Sequence, residues 1–414
     1  MMAAMHVLLV TSKFLPEYAG PALRLHRTYK RLQAADPGLR WRVVCNAIEF
    51  QGHADYVHDG IAVRRIASTL AAGGDGFNRR ARAAMRAYAE AAATWPELRR
   101  RDFDLVHVAG MSASTAAAIW WARATATPLV VELVTRDASP AQGLPGLRRF
   151  FTPGLARRTA VVAISRAIGR RCARLGLTLN VWVRPNPVDE TRFFPDREDR
   201  ARRRAELTPF ADDDRVLCAV AKFMPQKNQI FLLDVLARLP DRYKLVLAGP
   251  AVAGGPLAAR DRSYLERLRA RIDELGLGPR VLLETGFVDI ADYIKLADLY
   301  CMPNMTEGLG TPMLESLACG VPVLANLDEP AFREWIRDGE NGWCRGLHAE
   351  AWAQAALQVQ TLSPARLQAE ALRIRTVAGT AAIDAGYRAI LQATAALPRD
   401  GELDVAATLA RAGP

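Results

Sequence analysis

Asn304-Met305-Thr306-Glu307-Gly308-Leu309-Gly310-Thr311-Pro312-Met313-Leu314-Glu315-Ser316-Leu317-Ala318-Cys319-Gly320 reads as the end of a strand, a glycine-bearing loop and a helix. The apolar run 299–303 precedes it, and Val321-Pro322-Val323-Leu324-Ala325 follows. Pro312 suits a first helical turn, where its missing N–H costs no hydrogen bond. The N–H groups of Leu309, Gly310 and Thr311 then lack intrahelical partners and can cradle a phosphate, with Gly308 keeping the loop slim. Glu307 precedes the helix and Glu315 lies two turns into it, so two carboxylates can accept hydroxyl hydrogen bonds from one elongated ligand. Equally, Glu315 can be a buried partner of an arginine and Glu307 a cap.

Outward from this segment the same alternation repeats. Short apolar runs at 215–221, 243–249, 280–285, 299–303 and 322–325 are separated by helical patterns. A first series lies at 6–12, 41–46, 62–66, 104–110, 128–135, 160–165 and 181–184, with helices expected at 22–33, 79–100, 112–124, 146–157 and 165–175. Near-continuous apolar strands between helices mark parallel sheets covered on both faces. The charged stretch 196–206 follows Pro185-Asn186-Pro187 and divides the two series. The expected fold class is α/β, with two doubly wound Rossmann-like domains facing across a cleft: 1–195, 196–380, and a C-terminal segment 381–414 whose helix can cross back to the first domain. Residues 349–396 read as wholly helical.

A chain of 414 residues is long enough for two such cores. Its charge is unevenly spread. Overall it carries 55 Lys+Arg against 44 Asp+Glu, a net +11. Residues 1–200 hold 30 against 17, a balance of +13, and residues 201–414 hold 25 against 27, a balance of −2. The six cysteines show no CxxC spacing, which suits reduced thiols in a cytoplasmic protein rather than a zinc site. Residues 1–10 run into a strand without a basic leader, so no signal peptide is expected, and no apolar run reaches the roughly 18 residues of a membrane span.

Lysine is scarce, with only six in the chain, and two of them stand five residues apart in Ala221-Lys222-Phe223-Met224-Pro225-Gln226-Lys227-Asn228. Two ammonium groups at a strand-to-helix junction suit a diphosphate, although solvated lysines on a turn would look the same. The first junction, Thr11-Ser12-Lys13-Phe14-Leu15-Pro16-Glu17-Tyr18-Ala19-Gly20-Pro21, places Gly20 before a helix without forming GxGxxG or GxxxxGK[ST]. Asp212-Asp213-Asp214 precedes a strand rather than ending one, and reads as a solvated turn.

Glu307 to Glu315 resembles the E-x7-E motif of retaining family 4 glycosyltransferases, which have the GT-B architecture. Ala297-Asp298, Gly320-Val321-Pro322-Val323, Asp338-Gly339-Glu340-Asn341-Gly342 and Arg184-Pro185-Asn186-Pro187-Val188-Asp189 strengthen the resemblance. It implies a nucleotide-sugar donor, UDP- or GDP-linked, with no further cofactor and no metal. Glu315 would hold the ribose, and Glu307 would contact the transferred sugar. Lys222 and Lys227 would neutralise the diphosphate, and the base would sit at Gly286-Phe287-Val288. It further implies an α-glycosidic product, in polysaccharide, lipopolysaccharide or glycolipid synthesis, from an anionic or lipid-linked acceptor.

This chain departs from the family where Lys222 stands for arginine, where Ala19 replaces a glycine, and where 132–137 lacks a histidine. Arg136 and Asp137, with His107, are the acceptor-side candidates, although a core position suits His107 as well. Arg79, Arg80, Arg82 and Arg86 on one helix, and Arg148 and Arg149 beside Phe150-Phe151, can contact an anionic membrane at its inner face, or simply be solvated. No nucleic-acid recognition motif is present. A GT-B sugar-nucleotide epimerase and a non-catalytic sugar-nucleotide-binding or membrane-surface protein are the rival readings.

Overall fold

The computed structural model describes residues 4–17, 20–46, 53–66, 77–134, 153–174, 176–196, 198–251 and 258–412, without the side chains of 77–80, 82, 83, 153 and 155. It divides into two compact units, Met1–Asn186 with Ala381–Pro414, and Pro187–Thr380. Residues 187–195, expected in the first domain, pack with the second.

In the first unit β1 (Met5–Thr11), α1 (Gly20–Ala35), β2 (Leu39–Asn46), β3 (Ala54–His58), β4 (Ile61–Ile66) and α2 (Phe77–Arg99) come first. They are followed by β5 (Leu105–Ala109), α3 (Ala113–Thr125), β6 (Leu129–Leu133), α4 (Pro153–Arg157), β7 (Thr159–Ala163), α5 (Arg166–Arg174) and β8 (Val181–Val183). The sheet runs β3-β4-β2-β1-β5-β6-β7-β8, with only the β3–β4 hairpin antiparallel. β5, β6 and β7 are buried along their whole length, as strands covered on both faces must be. The hairpin strand β3 was not expected; it alternates in burial at the sheet edge, so it lacks the apolar run that betrays the others.

The second unit contains α6 (Arg200–Leu207), β9 (Arg215–Val220), α7 (Gln229–Leu236), β10 (Tyr243–Ala248), α8 (Ala258–Glu274), β11 (Val281–Glu284) and α9 (Ile290–Lys295). It continues with β12 (Leu299–Met302), α10 (Thr311–Ala318), β13 (Val323–Asn326), β14 (Gly342–Arg345), α11 (Ala349–Leu357) and α12 (Pro364–Ala378). Strand order is β11-β10-β9-β12-β13-β14, all parallel. The order reverses between β9 and β12, which is where a doubly wound sheet receives its ligand. Those two strands pair only at Leu299↔Leu217 and Tyr300↔Cys218. Beyond, the Tyr300 hydroxyl accepts from Val220 N–H at 3.1 Å and donates to its carbonyl at 3.0 Å.

The expected continuous helix at 349–396 is broken. α11 gives way to a short turn at Val359–Thr361, then to α12, and Gly379 separates α12 from α13 (Thr380–Ala395). A Cβ on Gly379 would lie 2.2 Å from the carbonyl oxygen of Arg375, so only glycine fits this break. From Ala381 the chain belongs to the first unit, where Ile383, Tyr387, Ile390 and Leu391 of α13 join Val7, Leu9, Leu25 and Trp41 in the core. The final helix α14 (Val405–Ala412) follows.

Candidate active site

Both loops at the β9/β12 reversal carry the residues singled out by sequence, and the structure brings them together. Lys227 ends a 3-10 turn, Pro225–Lys227, that follows Lys222 directly after β9. Glu307 lies on the loop after β12. The Lys227 ammonium is ion-paired and hydrogen-bonded to Glu307 Oε1, which also accepts from Asn304 Nδ2 at 2.6 Å. Gln226 ties the two loops further, its Nε2 donating to the Thr306 hydroxyl at 2.7 Å and its carbonyl accepting from Met305 N–H at 3.0 Å. Gln229 Nε2 donates to the Lys222 carbonyl at 3.0 Å, which fixes the start of the first loop.

Glu329 is the supporting residue that sequence reasoning missed. It is fully buried, and its Oε2 accepts the Glu307 backbone N–H at 2.9 Å. Its one signal was a carboxylate placed just after an apolar strand, which is not distinctive.

Gly308, Leu309, Gly310 and Thr311 form the turn into α10. Gly310 caps the helix at φ +80°. A Cβ there would approach Phe332 Cε1 to 2.5 Å, so both conformation and space demand glycine. Leu309 is buried and anchors the turn, and Pro312 stands in the first helical turn. Glu315 is half-buried on this helix. Phe287 is 75% exposed and Val288 is half-buried on the loop after β11. Asp212 and Asp213 are exposed before β9, as a solvated turn requires.

In the first unit Gly20 is the exposed opening residue of α1. Arg136, Asp137, Arg148 and Arg149 lie outside the described residues, as do the side chains of Arg79, Arg80 and Arg82. Arg86 on α2 pairs with Glu90 at 3.0 Å. Further along the same helix Met85 and Tyr88 are exposed.

His107 is corrected from an acceptor-side candidate to a core residue. It is fully buried, its Nδ1 lies 2.7 Å from the Tyr29 hydroxyl, and its Nε2 lies 3.5 Å from Glu132 Oε2. Glu132 on β6 is the centre of a buried cluster. It is paired with Arg24 and Arg184, the latter at 3.0 Å, and accepts from the Tyr387 hydroxyl at 2.5 Å. Burial alone would raise the Glu132 carboxyl; the two guanidinium groups reverse that and hold it well below the usual carboxylate range. Burial lowers the His107 imidazole and pushes the Tyr387 phenol up to about 12. A lone glutamate inside Leu129-Val130-Val131-Glu132-Leu133 signals that partners must exist, but not which ones.

The second unit combines a doubly wound parallel sheet, loops at its switch point and a glycine-capped helix, the arrangement that receives a ligand in open α/β folds. The family model described as glycosyl transferases group 1 matches residues 201–371, and the glycosyl transferase 4-like domain matches residues 19–187. The chain belongs to the family 4 glycosyltransferases of the GT-B fold. Among solved structures, sucrose-phosphate synthase from Thermosynechococcus elongatus superposes with a TM-score of 0.72 at 18% identity, covering 94% of this chain and 98% of that one. Anabaena HepE in complex with UDP-glucose gives 0.69 at 19% identity, covering 95% and 100%. These two establish the fold.

A GDP-mannose-dependent alpha-(1-6)-phosphatidylinositol monomannoside mannosyltransferase of Mycolicibacterium smegmatis is 34% identical over 171 residues, 38% of this chain and 41% of that protein. D-inositol 3-phosphate glycosyltransferase of Mycobacterium tuberculosis is 36% identical over 173 residues, 41% and 34% respectively. The chain thus spans about two fifths or less of the length of these curated relatives.

Proposed function

We propose that this protein transfers a glycosyl group from a UDP- or GDP-linked sugar to an acceptor hydroxyl, with retention and without a metal, forming an α-glycosidic bond. The observation that carries this reading is the meeting of Lys227 and Glu307 at the β9/β12 reversal, beside the glycine-capped start of α10. A departing nucleoside diphosphate gains negative charge as the bond from sugar C1 to phosphate oxygen breaks. Lys222, Lys227 and the N–H groups at the start of α10 stabilise that charge in place. Glu307 accepts hydrogen bonds from hydroxyls of the transferred sugar, and Glu315 accepts them from the ribose. The acceptor oxygen attacks C1 on the face the leaving group vacates, and its proton passes to the leaving phosphate oxygen.

UDP-glucose in the HepE complex and GDP-mannose in the name of the mycobacterial relative support a pyrimidine or guanine nucleotide. Phosphatidylinositol and inositol 3-phosphate in the relatives' names support an anionic or lipid-linked acceptor, which the +13 balance of residues 1–200 would suit. Work at the cytoplasmic face of a membrane, in polysaccharide, lipopolysaccharide or glycolipid synthesis, follows from that acceptor. Among the described residues no helix is long and apolar enough to cross a membrane.

Thermal-shift screening with UDP-, GDP- and ADP-sugars identifies the donor, since a ligand of the native state raises Tm. NMR of the product's anomeric centre then tests retention. A β-linked product from an α-linked donor contradicts it, and isomerised donor without acceptor identifies an epimerase instead.

A further inference from the structure

The second unit contains a cavity of about 330 Å3 at the amino ends of β9, β12 and β13, the opposite edge of the sheet from Lys222, Lys227 and Glu307. Helix α10 starts at the donor loop and ends beside Cys319 on the cavity wall. Eight residues of helix, about 12 Å, therefore separate the two places. The volume lies at the lower end of the range for small-molecule sites. Leu217, Leu299, Val321 and Leu367 supply apolar lining, and Arg200, Arg215 and Lys295 face Asp196 and Asp298.

Both carboxylates are already engaged. Asp298 Oδ1 accepts from Arg200 at 2.5 Å, and its Oδ2 accepts from Arg204 at 2.7 Å and from Val216 N–H at 2.8 Å. Asp196 Oδ2 accepts from Arg203 at 2.7 Å. Lys295 is not matched in turn. Lys295 has a side chain only 6% exposed, and its ammonium makes no hydrogen bond among the described residues. It stands 3.6 Å above the Phe194 ring centre and 3.9 Å from Asp196 Oδ2. Arg200 Nε is buried without an acceptor, and Arg215 reaches Asp298 only at 3.5 Å. Burial lowers the Lys295 pKa from its ordinary value, and Asp196 and Asp292 offset part of that effect.

We propose that this cavity binds a small organic anion, a phosphate monoester or carboxylate carried on an apolar body. The anionic head sits against the Lys295 ammonium, which has no hydrogen-bond acceptor among the described residues, with the part-exposed Arg215 guanidinium adding positive charge beside it. The body covers the leucines and Val321. Donor binding at the other edge of the sheet uses none of these groups.

The test is a thermal shift of the full chain with phenyl phosphate, benzoate and, as an uncharged control, benzyl alcohol. Phenyl phosphate or benzoate should raise Tm saturably by about 2 °C or more, and benzyl alcohol should not. The rise should vanish in Lys295→Met, shrink in Arg215→Gln, and persist in Lys222→Ala/Lys227→Ala. Arg215 is 39% exposed, so its variant carries the test if Lys295→Met does not fold. No rise with either anion, an equal rise with benzyl alcohol, a rise undiminished in the cavity variants, or its loss in the donor-loop variant overturns the proposal.

Discussion

Lys227 and Glu307 lie eighty residues apart in the chain and form an ion pair where the order of the second sheet reverses. A diphosphate that claims the lysine must share or displace this carboxylate. Glu307→Gln should therefore leave the dissociation constant of the free nucleoside diphosphate unchanged or lower, while kcat falls by about 10²-fold or more. Calorimetric titration beside steady-state kinetics separates the two effects. A parallel loss of nucleotide affinity would mean that Glu307 holds the nucleotide rather than the sugar.

Gly310 makes the turn into α10 possible. Gly310→Ala combines a left-handed backbone with a Cβ 2.5 Å from Phe332 Cε1. The conformation alone costs about 1–2 kcal/mol, and the collision adds to it. Nucleotide affinity should fall by more than about tenfold, which is 1.4 kcal/mol, with a lower unfolding temperature for the second unit. Wild-type affinity in this variant would remove the turn from the donor site.

Tyr387 and Glu132 fasten the returning helix α13 into the first unit. Tyr387→Phe removes one buried hydroxyl and should destabilise that unit by about 1–3 kcal/mol. Glu132→Gln leaves Arg24 and Arg184 buried without their carboxylate and should cost more, about 3–5 kcal/mol. Urea denaturation followed by tryptophan fluorescence checks the order of the two effects.

The two titrating groups of that cluster act in the same sense. Glu132 has a folded pKa depressed below its unfolded value, so its contribution is complete above about pH 4.5 and is lost as pH falls below it. Burial likewise depresses His107, so the unfolded chain takes up that proton first as pH falls through about 6.5. Stability should decline on acidification from about pH 6.5 and more steeply below about 4.5. His107→Gln should flatten the upper part of this curve, and unchanged curvature would show that His107 is not the group responsible.

What sequence revealed was local in the chain. Lys222 with Lys227, and Glu307 with Glu315, each fit within a few residues of a strand-to-helix junction, and parallel topology then makes those junctions neighbours. The Glu132 cluster was illegible because Arg24, His107, Arg184 and Tyr387 come from separate elements, and only folding aligns them. β14 escaped because Gly342-Trp343-Cys344-Arg345 is short and begins on a glycine, so it reads as the end of a turn. The break at Gly379 was hidden by strong helical patterns on both sides. A single glycine does not stop a helix by propensity alone, and here the close approach of Arg375 explains why the residue is required.

The most direct test of the central claim is nucleotide-sugar binding to the full chain with and without the lysine pair. Titration of UDP- and GDP-sugars should show one of them binding the wild type, and Lys222→Ala/Lys227→Ala should weaken that binding by about 100-fold or more, equivalent to about 2.8 kcal/mol. Equal affinity in wild type and variant would contradict the placement of the donor diphosphate between β9 and β12.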